Sequence, residues 1–200
     1  MHLYPDLYYS VSSYYRQMSN AYGNQYAIAR SRYNFISSHY NTNVRKVYRF
    51  NTYVFGQDNY PYSSFIFGAT TVSNQGCGSI ALFNVMFKLG YRTHLAQIIL
   101  EMELNMMLAN NGASGTKNSM FPEFLRAHSI KYVTYDRLFS FISNVNKYRI
   151  SMVIINGHIF CVMKRGKNIV SLNRYNSDKG FNRINLSDLY YRFIIAYCIK

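Results

Sequence analysis

The chain of 200 residues has no tryptophan, three prolines, three cysteines and only eight acidic residues. Cys77, Cys161 and Cys198 are odd in number and widely spaced, which supports neither a disulfide framework nor a cysteine zinc cluster. At least one thiol therefore stays free in a monomer. Histidines and acids do not gather in the sequence either, so no metal and no cofactor is expected. Long apolar runs are also missing; the most apolar stretch, Ile80 to Leu89, is far too short to span a membrane. Met1-His2-Leu3-Tyr4-Pro5-Asp6 lacks a basic start followed by an apolar stretch, so no secretory signal is read. The expectation is a product made in the cytoplasm, which acts outside a cell, or in a virion, only if something other than its own leader carries it there.

What is present in excess is tyrosine, with 21 residues, and positive charge, with 22 Lys and Arg giving a net +14. Such a charge implies an anionic partner: nucleic acid, a phosphate-bearing wall polymer or an acidic membrane surface. An apolar content of 49% is that of a globular chain, and the length favours one sizeable core.

Residues 1–52 read as a Tyr-rich basic segment, helical or arm-like, and residues 53–200 as the main domain. From Leu7 to Ile36 apolar and aromatic residues recur loosely at helical spacing, so one or two amphipathic helices are expected there. That segment either packs on the body through its rings or stacks on sugars or bases while arginines hold phosphates.

After the turn Asn74-Gln75-Gly76, residues Cys77 to Leu89 are apolar nearly all round and close at Gly90, the pattern of a buried helix. A second helix capped by Thr93 is expected to run to about Leu108, with Glu101 and Glu103 facing solvent. A short helix with Pro122 in its first turn, a strand over Ile130 to Tyr135 and a helix over Arg137 to Asn146 follow. The period then changes. Ile150 to Ile155, Ile159 to Met163 and Asn168 to Leu172 are β-branched runs separated by hairpin turns, and Phe193 to Ile199 reads as a last strand. Helices first and antiparallel sheet afterwards give an α+β class.

Cys77 opens the buried helix, where free amides and the helix dipole favour a thiolate. Gly76 and Gly78 on either side read as leaving room for a substrate backbone. His158 follows Asn156-Gly157 at the start of a strand whose next same-face residues are Phe160 and Val162. A nucleophilic thiol needs such a base to activate it and to protonate the leaving amine. The other histidines, His2, His39, His94 and His128, have weaker contexts.

Gly76-Cys77-Gly78-Ser79-Ile80-Ala81-Leu82, running to Leu89-Gly90, resembles the helix-opening motif of papain-like cysteine peptidases related to the bacteriocin leader-processing family. Upstream, Gln57-Asp58-Asn59-Tyr60-Pro61-Tyr62 and Phe67-Gly68-Ala69-Thr70-Thr71-Val72 match the segments that precede that motif. Gly157-His158-Ile159-Phe160 is similar to the family's later Gly-His, and its Asp-Pro falls at Asn173-Arg174. The similarity covers roughly residues 55–175.

The resemblance implies a papain-like fold, with a buried central helix packed on a C-terminal antiparallel sheet. It also implies Cys77 as nucleophile, His158 as acid/base, Asn173 orienting the imidazole and Gln57 donating to the oxyanion with the Cys77 amide. Gly76, Gly78 and Gly157 would border the substrate, and a thiolate–imidazolium pair is expected, with the thiol below and the imidazole above its ordinary value. Gln75 is the second choice for the oxyanion. An alternative alignment on papain's Asn-Gln-Gly-x-Cys-Gly-Ser-Cys places Ile80 near the nucleophile position, but needs a deletion. Three functions remain open: an amide hydrolase acting on peptide or cell-wall peptide; a binding module for an anionic polymer with an idle cysteine; and a transglutaminase-like acyl transferase.

Overall fold

A computed structural model describes residues 24–47 and 52–200. The chain divides into two units, Met1–Ser38 and His39–Lys200. Helix α1, Asn24–Val44, runs through that division, later than the helical pattern in sequence and short of the boundary at 52. The expected helices before residue 24 lie outside the described residues.

The second unit is mixed α+β, with helices packed against an antiparallel sheet. After a two-stranded hairpin, β1 (Ile66–Phe67) and β2 (Thr70–Thr71), come α2 (Val72–Gln75), α3 (Cys77–Lys88) and α4 (Leu95–Leu104). Then follow α5 (Phe121–Ala127), β3 (Tyr132–Tyr135), α6 (Leu138–Asn144), β4 (Ile150–Ile155), β5 (His158–Arg165), β6 (Asn168–Leu172), β7 (Asn182–Arg183) and β8 (Phe193–Ile199). The six-stranded sheet has the order β3-β8-β4-β5-β6-β7, with every neighbour antiparallel. The last strand thus inserts between β3 and β4.

Both faces of the sheet centre are covered, which is why β4 is buried at all six positions and reads as one apolar run rather than alternating. One face carries Ile159, Cys161 and Met163 of β5 in a core with Ile80, Leu82 and Val85 of α3; the other carries Phe160 and Val162 with Leu138 and Phe141 of α6. The Cys161 thiol points at the Ala81 carbonyl, 3.4 Å away, so α3 lies directly on β5.

Three expectations are corrected here. The segment before Cys77 is not a bare turn: Val72–Gln75 forms one helical turn, closed by the Gly76 amide donating to the Val72 carbonyl at 2.9 Å. Helix α4 is capped by His94, whose Nδ1 accepts from the Gln97 amide at 3.1 Å, rather than by Thr93, and it ends at Leu104. Met106, with φ of 55°, has by then left helical geometry. Glu101 and Glu103 do not face solvent. Both are buried, each beside a histidine: His128 Nε2 lies 2.7 Å from Glu101 and His39 Nδ1 lies 3.0 Å from Glu103, which also accepts from the Gly68 amide at 2.8 Å. A carboxylate is buried in a protein only when such partners replace its water.

Candidate active site

Strand β6 stops pairing with β5 at Leu172↔Cys161. Asn173 then turns the chain away with φ of 59°, a left-handed conformation that asparagine tolerates better than most residues. The ladder therefore leaves the start of β5 open on that side. Into this opening comes the first residue of α3: the Cys77 sulfur receives the backbone amide of Ile159, along with those of Gly78 and Cys77 itself. The sulfur is thus one peptide link from the residue that carries the imidazole.

His158 is half-buried, its ring stacked parallel to Phe160 with centroids 6.2 Å apart. Its Nε2 lies 2.5 Å from the main-chain oxygen of Asn173. A carbonyl can only accept, so Nε2 carries the proton, and in the neutral ring Nδ1 is the nitrogen left with a lone pair. The Asn173 amide in turn donates to the Phe55 carbonyl at 2.7 Å, and Asp58 donates to the Asn176 carbonyl at 2.9 Å. Residues 55–58 and 173–176 are thereby bound side by side. Gly56 permits this approach, since a Cβ there would lie 2.4 Å from the Asn176 carbonyl oxygen.

Gln57 sits in this junction, 2% exposed, and its Nε2 donates to the carbonyls of Val72 and Ser73 at 3.0 and 3.1 Å. Both amide hydrogens are thus committed to α2, the turn that delivers Cys77. This corrects the expected oxyanion donor: in this arrangement Gln57 fixes the turn and has no hydrogen left for substrate. The orienting role of the Asn173 side chain is corrected as well. Its Oδ1 and Nδ2 are buried without a hydrogen-bond partner, and it is the main chain that holds His158.

The glycines also change meaning. A Cβ at Gly78 would lie 2.4 Å from Thr116 Oγ1, and one at Gly76 would lie 2.6 Å from the Val72 Cα. Both residues are buried. They let neighbouring chain pack tightly at the start of α3, and the space expected for substrate is filled by protein. Gly157 has open space around it and φ of 78°; the two-residue hairpin turn requires it there. Gln75, the second choice for the oxyanion, lies with its Oε1 near Gly115. Ile80, which the alternative alignment would set at the nucleophile position of an inactive protein, is fully buried in the core.

Burial pushes the Cys77 thiol above its ordinary value, and the three amides pull the other way. Burial lowers the His158 imidazole; the bond to the Asn173 carbonyl and the charge of Asp178 oppose that, while Arg192 adds to it. Both directions are opposite to those expected of a thiolate–imidazolium pair. The other two cysteines are core residues, with Cys198 pushed up by burial to about 11. Sequence reasoning missed Asp178, buried in the loop after Asn173 with its Oδ2 accepting from the Tyr175 amide at 3.0 Å. No sequence signal distinguished it from a surface aspartate.

Comparison with family models, with curated proteins and with solved structures gives no match. Among the described residues, no helix is long and apolar enough to cross a membrane.

Proposed function

We propose that the chain is a cysteine-dependent amide hydrolase of papain-like arrangement, with Cys77 as nucleophile and His158 as general acid and base. One observation carries this reading: a thiol at the first residue of a helix is held by the amide of Ile159, the residue next to a histidine whose Nε2 is pinned by a carbonyl and whose Nδ1 keeps its lone pair.

In the proposed reaction, Nδ1 of His158 takes the thiol proton as Cys77 attacks the substrate carbonyl. As the sulfur bonds to carbon it gives up the Cys77 amide, which then donates to the tetrahedral oxyanion. The imidazolium, held in orientation by the Asn173 carbonyl, then protonates the leaving amine, and a thioester remains. Water, deprotonated by the same nitrogen, releases the acid and regenerates the thiol.

A net charge of +14 supports a peptide linked to an anionic polymer, such as a Gram-positive wall peptide, as the substrate class. The test is trapping of an acyl-enzyme. A thiol-directed covalent probe and mass spectrometry of the protein incubated with wall peptides should place the adduct on Cys77, and His158→Ala should suppress it. Labelling of Cys77 that is indifferent to His158 would reduce the site to an idle cysteine in a binding module. Release of the acyl group to added amines but not to water would make the protein an acyl transferase.

A further inference from the structure

At the end of the sheet that carries His158, four apolar side chains stand in solvent. Phe139 is 68% exposed, Tyr190 55%, Tyr191 93% and Ile194 49%. Three of them form one cluster, Phe139 and Tyr190 having ring centroids 5.8 Å apart and Tyr190 and Tyr191 5.0 Å, and Ile194 follows three residues after Tyr191. Its base is rigid. Phe141, one turn along α6 from Leu138, stacks on Phe193 at 5.7 Å, and Leu138 and Leu189 are buried beneath. Ile194 is turned outward by an irregularity in the ladder: β4 pairs Ile154 with Ile195 and Ile155 with Phe193, leaving Ile194 over.

The charge of the surface as a whole is one-sided. Of the acids after position 50, Glu101, Glu103 and Asp178 are buried, which leaves Asp58, Glu123, Asp136 and Asp188 on the surface. Against these four stand sixteen Lys and Arg in the same stretch, none of them buried. Near the patch in sequence, Arg137 and Arg192 are balanced by Asp136 and Asp188, so the attraction to an anionic surface comes from the excess of cations over the rest of the chain.

We infer that this patch docks the protein on an anionic lipid bilayer. The chemistry of the side chains selects lipid over a sugar or a nucleic acid. Phe139 and Ile194 have no polar atom to offer a hydroxyl or a base edge. The rings meet at 58° and 87°, so they present a knob and not a flat stacking platform. At a bilayer boundary the same set fits: Phe and Ile enter the acyl edge, tyrosine hydroxyls stay at the headgroups, and exposed cations attract acidic lipid. The Asn156 amide, in the turn just before His158, donates to the Arg192 carbonyl at 2.8 Å, so docking would bring the opening at β5 close to the membrane. The inference is independent of the hydrolase reading.

The absence of tryptophan allows a direct test, because Tyr191→Trp introduces a single fluorophore at the most exposed ring. With phosphatidylserine–phosphatidylcholine vesicles its emission should shift to the blue and the protein should sediment with the lipid; pure phosphatidylcholine should do neither. The variant Phe139→Ser/Tyr191→Ser/Ile194→Ser should lose at least about tenfold in partitioning, with its circular dichroism unchanged. Should that variant misfold, Tyr191→Ser alone is read in the same way, with a smaller loss. Failure of the wild type to bind acidic vesicles overturns the inference. So does binding that the serine substitutions leave untouched, or self-association in the absence of lipid that those substitutions abolish.

Discussion

On α4, Glu101 and Glu103 each hold a histidine brought from another element, His128 from the end of α5 and His39 from α1. At the start of β5, His158 has a main-chain carbonyl as its partner instead. The difference is chemical. A buried carboxylate and an imidazole form a stable pair whose purpose is met once both are satisfied. A carbonyl can only accept, so it fixes the Nε2–H tautomer of His158 and leaves the lone pair on Nδ1. The first region uses histidine to join helices; in the second, a main-chain carbonyl fixes the tautomer of a histidine next to the residue whose amide meets the Cys77 sulfur.

The largest expected effect separates these regions by activity. Cys77→Ala and His158→Ala should each lower turnover by at least about a thousandfold, as losses of residues that act as one unit do. His128→Ala should leave turnover per folded molecule unchanged and reduce thermal stability. Equal losses of activity from all three variants in a turnover assay would erase the distinction.

The reverse experiment breaks the structural pair. Glu103→Ala removes the acceptor for both His39 and the Gly68 amide, and should cost roughly 2–4 kcal/mol of stability in denaturant unfolding. Gly78→Ala tests the packed start of α3. The new methyl meets Thr116 at 2.4 Å, so a loss of about 1–3 kcal/mol is expected, together with lower activity as Cys77 shifts. Gly157→Ala has open space and should cost about 1 kcal/mol, from its positive φ alone.

Titration offers a finer contrast. The raised Cys77 thiol should alkylate slowly at neutral pH, with a rate that climbs through an apparent pKa above that of an ordinary thiol. An apparent value near 7 would restore the ion pair. Stability carries a second signature. His94 and His158 are both lowered by burial, so below about pH 6.5 the unfolded chain binds protons that the folded one refuses, and stability falls with pH down to the lowered folded values. His94→Asn keeps an oxygen for the cap at α4 without a titrating ring, and should flatten part of that fall in melting temperature measured from pH 7 to 5.

Much of the fold was legible because it is local. The all-round apolar run from Cys77, the β-branched strands and their Gly turns announced α3 and β4 to β6 within short windows. The position of β8 between β3 and β4 was not, since nothing in Phe193 to Ile199 states which strands it will separate. The burial of Glu103 was equally hidden: its partner His39 is 64 residues away, and a glutamate on a helix reads as solvated until that partner is known. In the site, Cys77 and His158 stood out by motif, and the fold joins them through the Ile159 amide. What the motif could not convey was the reason for its glycines, which lies in Thr116 and Val72, or the use of a main-chain atom at Asn173.

That last point gives the smallest expected effect and the sharpest one. If the Asn173 side chain oriented His158, its removal would disorder the ring and slow turnover strongly. Here the bond to His158 comes from the Asn173 carbonyl, and the side-chain amide is buried with neither atom paired. Asn173→Gly deletes the amide and keeps the left-handed turn, because glycine adopts φ near 59° without strain. Turnover should remain within about threefold of wild type, since only a supporting packing contact is lost. Asn173→Ala deletes the same amide but opposes the turn, at a cost of about 1 kcal/mol, and should lower both stability and activity as the carbonyl moves. Activity in the order wild type, Gly, Ala, with the glycine variant close to the first, identifies the backbone as the orienting group. Glycine and alanine variants equally depressed would return that role to the amide and require its side chain to reach His158 when substrate binds.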